Sequence, residues 1–152
     1  MALDDSRAAT LDTGALIALV EIAAGRSSNV VAKTLLARMR DRNNPLPVSA
    51  PTPVLAEWWR GEAGPAAAVR DAVTAVPTSR DVAIDAGLLL AALGKSYGEG
   101  DLLVMDAIVV VSAARRHDDI YTSDTEDIVA LRDKLVEMGK LPNREAVRIR
   151  RV

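Results

Sequence analysis

Apolar positions fall into short blocks and long ones that alternate along the chain, parted by glycine, proline and polar breaks. Ala8 to Leu11 is a short apolar run that ends at Asp12; Gly14 to Ala24 is apolar nearly throughout and stops at Gly25. A short run followed by a long one reads as a strand and then a helix, with the glycine at the helix end. Asn29 to Arg42 sets Val30, Val31, Leu35 and Met39 at helical spacing, and Asn43-Asn44-Pro45 breaks it. Leu46 to Ala50 predicts a short strand. Pro51 and Pro53 suit the start of a helix through Val54, Leu55, Glu57 and Trp58 that ends at Gly61. Pro65 to Ala75 predicts an alanine-rich helix, and Val76-Pro77-Thr78 a brief extended segment. Ser79 or Asp81 caps a helix running to Leu93, and Gly94 to Gly100 is a loop. Asp101 to Arg116 predicts a strongly apolar helix, Asp119 to Thr122 a strand, Ile128 to Met138 the last helix and Val147 to Val152 a closing strand.

Strands that alternate with helices predict an α/β protein: a short parallel sheet covered by helices, an α/β/α sandwich. The length of 152 residues fits one domain over the whole chain, 1–152. In such folds the ligand site lies in the crevice at the carboxyl ends of the strands. The residues that fall there therefore carry the chemistry.

Composition narrows that chemistry. Cysteine is absent and His117 is the single histidine, which excludes disulfides, thiolate zinc sites, cysteine nucleophiles and paired-histidine catalysis. His117 lies in the polar turn Arg115-Arg116-His117-Asp118-Asp119 and reads as a solvated residue. Any bound metal must sit among oxygens, which favours Mg²⁺ or Mn²⁺. The net charge of -2 is not that of a protein that coats nucleic acid, although a cation on its carboxylates would leave a more basic surface. The start, Met-Ala-Leu-Asp-Asp-Ser-Arg, has acids where a signal peptide needs bases, and no apolar run reaches the ~20 residues of a membrane span. A cytoplasmic location with no membrane partner is expected.

Four carboxylates stand at the ends of apolar segments, and each also has a local explanation. Asp12 ends a strand, where it could simply cap the next helix. Asp106 lies in Leu102-Leu103-Val104-Met105-Asp106-Ala107-Ile108-Val109-Val110-Val111, with only apolar residues at the positions three and four away. A carboxylate buried there needs an Arg or Lys, a backbone N–H or a metal ion. Asp124 closes the strand at Thr122-Ser123, where Ser123 and Glu126 match a capping box. Glu57 is three residues before Arg60 and could pair with it along the helix. Taken together, these acids converge on one edge of a parallel sheet, where clustered carboxylates repel and call for a divalent cation.

Four segments in order resemble the PIN-domain ribonucleases, and within them the VapC toxins of bacterial toxin–antitoxin pairs. They are Leu11-Asp12-Thr13-Gly14-Ala15-Leu16, Leu55-Ala56-Glu57 with Arg60-Gly61, Met105-Asp106-Ala107, and Thr122-Ser123-Asp124-Thr125-Glu126-Asp127-Ile128. The resemblance implies a Mg²⁺- or Mn²⁺-dependent endoribonuclease, a homodimer, and inhibition by a small cognate antitoxin protein. It assigns Asp12, Glu57, Asp106 and Asp124 to the metal-binding, catalytic acidic quartet. Asp12 and Asp106 have the most apolar surroundings and are the candidates for central metal ligands; Glu57 and Asp124 would complete or orient the shell, directly or through water. Asp127 matches an accessory acid, and Thr13 a position that often holds a small hydroxyl. Where many relatives have an acid three residues before the third aspartate, this chain has Leu103; its nearest acid is Asp101.

Hydrolysis through a metal-activated water needs no side-chain nucleophile, in keeping with the composition. Arg60 is the best candidate for a substrate phosphate, ahead of Arg38, Arg40, Arg42, Arg115 and Arg116. Trp58 or Trp59 could stack on an unpaired base or serve in packing. Leu16, Ile17, Val20, Val30, Val31, Leu35 and Leu36, with the two tryptophans, are more apolar surface than a small sheet covers, which also suggests a dimer. A metal-dependent phosphatase, a DNA nuclease and a non-catalytic RNA- or protein-binding module with a relic site are the competing readings. A haloacid-dehalogenase type of phosphatase needs an acid two positions after Asp12, where Gly14 stands. A receiver domain needs an acidic pair at the first strand end, and Asp4-Asp5 precede that strand.

Overall fold

The computed structural model describes residues 7–94 and 103–152. Five parallel strands form one sheet in the order β3-β2-β1-β4-β5. They are β1 (Ala9–Leu11), β2 (Val48–Pro51), β3 (Thr74–Val76), β4 (Asp119–Thr122) and β5 (Ile149–Arg151). Among the described residues, seven α-helices connect and cover them: α1 (Thr13–Ala23), α2 (Val30–Met39), α3 (Thr52–Trp58), α4 (Pro65–Ala72), α5 (Arg80–Leu93), α6 (Val104–Arg116) and α7 (Thr125–Glu137). α1 packs against α2, α3 and α4, while α5, α6 and α7 pack on one another; both groups touch the sheet. The architecture is the expected three-layer α/β/α sandwich.

The strands are buried because both sheet faces carry helices, which is why they read as continuous apolar runs. β1, β2 and β4 are buried at every residue, and a single core joins Leu11, Leu16, Leu19, Val110, Ile120 and Leu131. None of the helices among the described residues is long and apolar enough to cross a membrane.

Several boundaries differ from the sequence reading, each for a local reason. Residues 74–75, read as helix, belong to β3, because Thr74 and Ala75 pair with Ser49 and Ala50 of β2. α2 ends at Met39 rather than Arg42, and α7 begins at Thr125, three residues before Ile128. α6 starts at Val104 rather than Asp101; Asp101 and most of the glycine loop lie outside the described residues. Asp106 thus stands in the first turn of α6, half-buried, not in the middle of an entirely buried helix. A helix N-terminus favours negative charge, so this placement offsets part of the penalty for burying it. His117 is exposed and adopts a left-handed conformation (φ 57°) as the C-cap of α6, a structural role its neighbours did not announce.

The strand order fixes where a ligand site can form. The chain runs outward from β1 through β2 to β3, then returns to β4 on the other side of β1. The carboxyl ends of β1 and β4 therefore flank the point where the connections diverge, leaving a crevice between them. Leu11 pairs with Tyr121 at the end of this ladder, so Asp12 and Thr122 emerge from it side by side.

Candidate active site: an acidic cleft at the strand ends

A cleft of about 240 Å³ opens at this crevice, and all four predicted acids line it. Asp12 comes from the end of β1, Glu57 from the last turn of α3, Asp106 from the first turn of α6 and Asp124 from the turn between β4 and α7. Thr13, Gly14, Met105 and Ser123 complete the wall. The turns at β1 and β4 meet closely: a Cβ added at Gly14 would overlap Ser123 Oγ. Glycine at position 14 lets the two acid-bearing turns approach without displacing the Ser123 hydroxyl.

Asp12 serves the fold and the cleft at once. One oxygen, Oδ1, accepts from the Ala15 N–H at 2.8 Å, capping α1 as expected; Oδ2 accepts a hydrogen bond from the Thr122 hydroxyl. The Thr122 Oγ1 in turn accepts from the Asp124 N–H at 2.9 Å. Thr122 is thus the bridge between the two strand-end acids, a residue the sequence reading passed over. Its only advance signal is a hydroxyl at the buried carboxyl end of an otherwise apolar strand. Each carboxylate oxygen keeps lone pairs beyond these bonds. Burial raises the Asp12 carboxyl above its ordinary value, with the neighbouring Asp124 adding to the effect against the hydrogen bonds from Thr122 and Ala15.

Among the described acids, Asp106 is the most perturbed. Its carboxyl is pushed up to about 7, first by burial and then by Asp12, Asp127, Asp124 and Glu57. Asp127, in the first turn of α7, is near enough to contribute, although it does not line the cleft. The buried salt bridge considered for Asp106 does not form with any described residue. The capping box considered at Ser123 is also absent: Asp124 is the N-cap residue of α7, and no side chain caps that helix. Glu57 does not pair with Arg60; it accepts from Thr13 Oγ1 at 2.5 Å, which joins the start of α1 to the end of α3. Arg60 donates from Nη1 to the carbonyls of Ala56 (3.0 Å) and Trp59 (2.8 Å). It lines a neighbouring cavity rather than the acidic cleft.

The opposite end of the sheet shows how the same chain treats buried acids that it holds with cations. Asp118 and Asp119, both 2% exposed, sit at the amino end of β4. Asp119 accepts from Arg148 at 3.0 and 2.7 Å and from Arg7 at 3.3 Å. Asp118 accepts from Arg116 Nε at 3.0 Å and Thr10 Oγ1 at 2.9 Å. Asp12, 7% exposed at the carboxyl end, has no such arginine among the described residues.

The donor set matches a hard divalent cation in kind: only oxygens, mutually repelling, one of them raised to about 7. The acids share the cleft without closing on a common point, since no three of the described acids stand ready around one ion. The bonds to Ala15, Thr122 and Thr13 hold Asp12 and Glu57 in that open arrangement. Comparison with protein-family models and with curated proteins finds no match to this chain.

Proposed function

We propose that the chain is a Mg²⁺- or Mn²⁺-dependent endoribonuclease of the PIN-domain type, acting as the toxin of a toxin–antitoxin pair. The observation that supports it best is the contrast between the two ends of the sheet. Asp118 and Asp119 are compensated by arginines, while Asp12, Glu57, Asp106 and Asp124 crowd one cleft with no ion pair to a described residue. A fold that leaves acids repelling each other at a topological crevice is suited to a ligand that supplies positive charge. The homodimer, the antitoxin and RNA as substrate rest on the resemblance of the four acidic segments to that family. Val30 and Val31 remain exposed and are available to a second copy, whereas Leu16, Leu35 and Leu36 are used in the core.

In this reading Asp12, Asp106 and Asp124 hold the cation, and Glu57 orients water or completes the set. When bound, the ion lowers the pKa of a water molecule and offsets charge on the phosphoryl oxygens. The residues of the chain do the rest. Thr122 fixes the Asp12 carboxylate by its hydroxyl, and Thr13 fixes Glu57. Burial and the neighbouring acids raise the Asp106 carboxyl to about 7, and positive charge in the cleft would favour its deprotonated form.

The products provide the test. Internal attack by a ribose 2′-hydroxyl needs an acid–base pair such as two histidines, and the single histidine is exposed and away from the cleft. RNA incubated with the protein and Mn²⁺ should be cut by water, leaving no 2′,3′-cyclic phosphate. Uncut RNA across Mg²⁺ and Mn²⁺, or cyclic-phosphate ends formed in EDTA, would refute the proposal.

A further inference from the structure

Beside the acidic cleft is a second cavity of about 270 Å³, and the two share Thr13 and Glu57 as a common wall. Its apolar lining comes from Ile17 and Val20 of α1 and from Trp58 and Trp59 at the end of α3. Ile17 is 51% exposed, a large apolar side chain left open to solvent on the cavity wall. The two tryptophans are tilted at 49° with ring centroids 5.8 Å apart. The Arg70 guanidinium lies over one face of the Trp59 ring, 4.4 Å from its centre, so a planar ligand can stack only on the other face. Trp58 packs against the core, while Trp59 does not belong to it.

The charged rim is unsuited to phosphate. Three carboxylates, Glu21, Glu57 and Glu62, stand against two arginines. Arg26 is held by Glu21 through bonds of 3.1 and 2.8 Å, and Arg60 is turned onto the carbonyls of Ala56 and Trp59. An aromatic and aliphatic cavity with acceptor groups at its edge suits a flat, uncharged ring that carries N–H donors.

We infer that this cavity is a base-binding subsite, in which Trp59 stacks on an unpaired nucleobase next to the phosphate held at the acidic cleft. The inference rests on the ribonuclease reading and adds to it: the substrate is single-stranded at that nucleotide, and Trp59 positions it. A base in a duplex is stacked on both faces and cannot enter. Base–aromatic stacking is sequence-tolerant, so the subsite selects for an unpaired strand more than for one base.

The test exploits the fact that the chain has two tryptophans, both of which line this cavity. Tryptophan emission therefore reports on the cavity alone. An end-labelled oligoadenylate and an abasic ribose-phosphate chain of equal length are titrated into the whole protein with Ca²⁺ present to neutralise the cleft carboxylates, with anisotropy reporting binding and emission reporting the cavity. The oligoadenylate should quench the emission saturably and the abasic chain should not. Trp59→Leu should weaken oligoadenylate binding about tenfold and leave abasic-chain binding unchanged, while Trp59→Phe recovers most of the loss. Equal binding of the two chains with unchanged emission overturns the subsite and leaves the ribonuclease reading standing if Mn²⁺-dependent cleavage is seen. Failure of both chains to bind, together with failure to cleave, removes both. An emission change that follows protein concentration without RNA means that a second copy covers the cavity, and also overturns the subsite.

Discussion

Replacing Asp106 by Asn keeps the side chain's shape and removes one charge from the most crowded point of the cleft. The folded-state value of about 7 lies well above the ordinary 3.8. At ~1.4 kcal/mol per pH unit, that gap corresponds to about 4 kcal/mol of penalty on the charged form, an upper bound because water and neighbouring carboxylates relax. A realistic gain for the neutral amide is about 1–3 kcal/mol, or about 3–10 °C in melting temperature for a domain of this size. The pH dependence fixes the sign. Because the folded-state value is the higher one, the folded protein holds the extra proton between roughly pH 4 and pH 7, and this group's contribution to stability declines as pH rises through that window. The amide does not titrate. The advantage of Asp106→Asn over wild type should therefore be near zero at about pH 4 and reach its full size by about pH 8. Thermal melts of both proteins in EDTA across this range provide the measurement. Excess Mn²⁺ should narrow or reverse the difference, since wild type gains more from binding the ion. A mutant that melts below wild type at pH 8 in EDTA would show instead that Asp106 has a stabilising cationic partner.

Asp119→Asn should shift stability the other way: with Arg148 and Arg7 deprived of their buried counter-charge, a loss of about 3–5 kcal/mol in urea unfolding is expected, with or without metal. Thr122→Val, which removes the hydroxyl between Asp12 and the Asp124 backbone, should lower stability by about 1–2 kcal/mol and weaken Mn²⁺ binding measured by calorimetry; unchanged binding would mean that Asp12 needs no such positioning. Gly14→Ala should destabilise by about 1–3 kcal/mol through its clash with Ser123, and Ser123→Gly in the same chain should remove most of that loss. Additive melting shifts for the two changes would show that the turns do not meet as described.

Much of this arrangement is legible in the sequence because parallel strands and buried helices leave an unbroken apolar signature. The order of short and long apolar runs points to the sandwich, and the polar residue that ends each run marks the crevice: Asp12 after β1 and Asp124 after β4. What escaped is set by contacts between distant segments. Thr74 and Ala75 look like the end of an alanine-rich helix, and only pairing with β2 makes them a strand. Glu57 and Arg60 have ideal helical spacing, yet Thr13 from another helix takes Glu57 and backbone carbonyls take Arg60. The apolar neighbours of Asp106 suggest full burial, but a helix that starts at Val104 puts it in a first turn. Thr122 and Gly14 matter because two strands end side by side, a fact of topology that the lone hydroxyl at the end of β4 marks only faintly.

The central claim is that these four acids form a metal-dependent RNA-cleaving centre, and single-turnover cleavage of a labelled single-stranded RNA by purified protein tests it most directly. Wild type, Asp12→Asn and Asp106→Asn would be compared in EDTA, Mg²⁺ and Mn²⁺ after melts confirm that all three are folded. Wild type should cleave with either ion and not in EDTA, and both variants should lose at least about 100-fold, the scale of removing a group that stabilises developing charge. Cleavage by wild type in EDTA, or equal rates for wild type and folded Asp106→Asn with Mn²⁺, would contradict that claim.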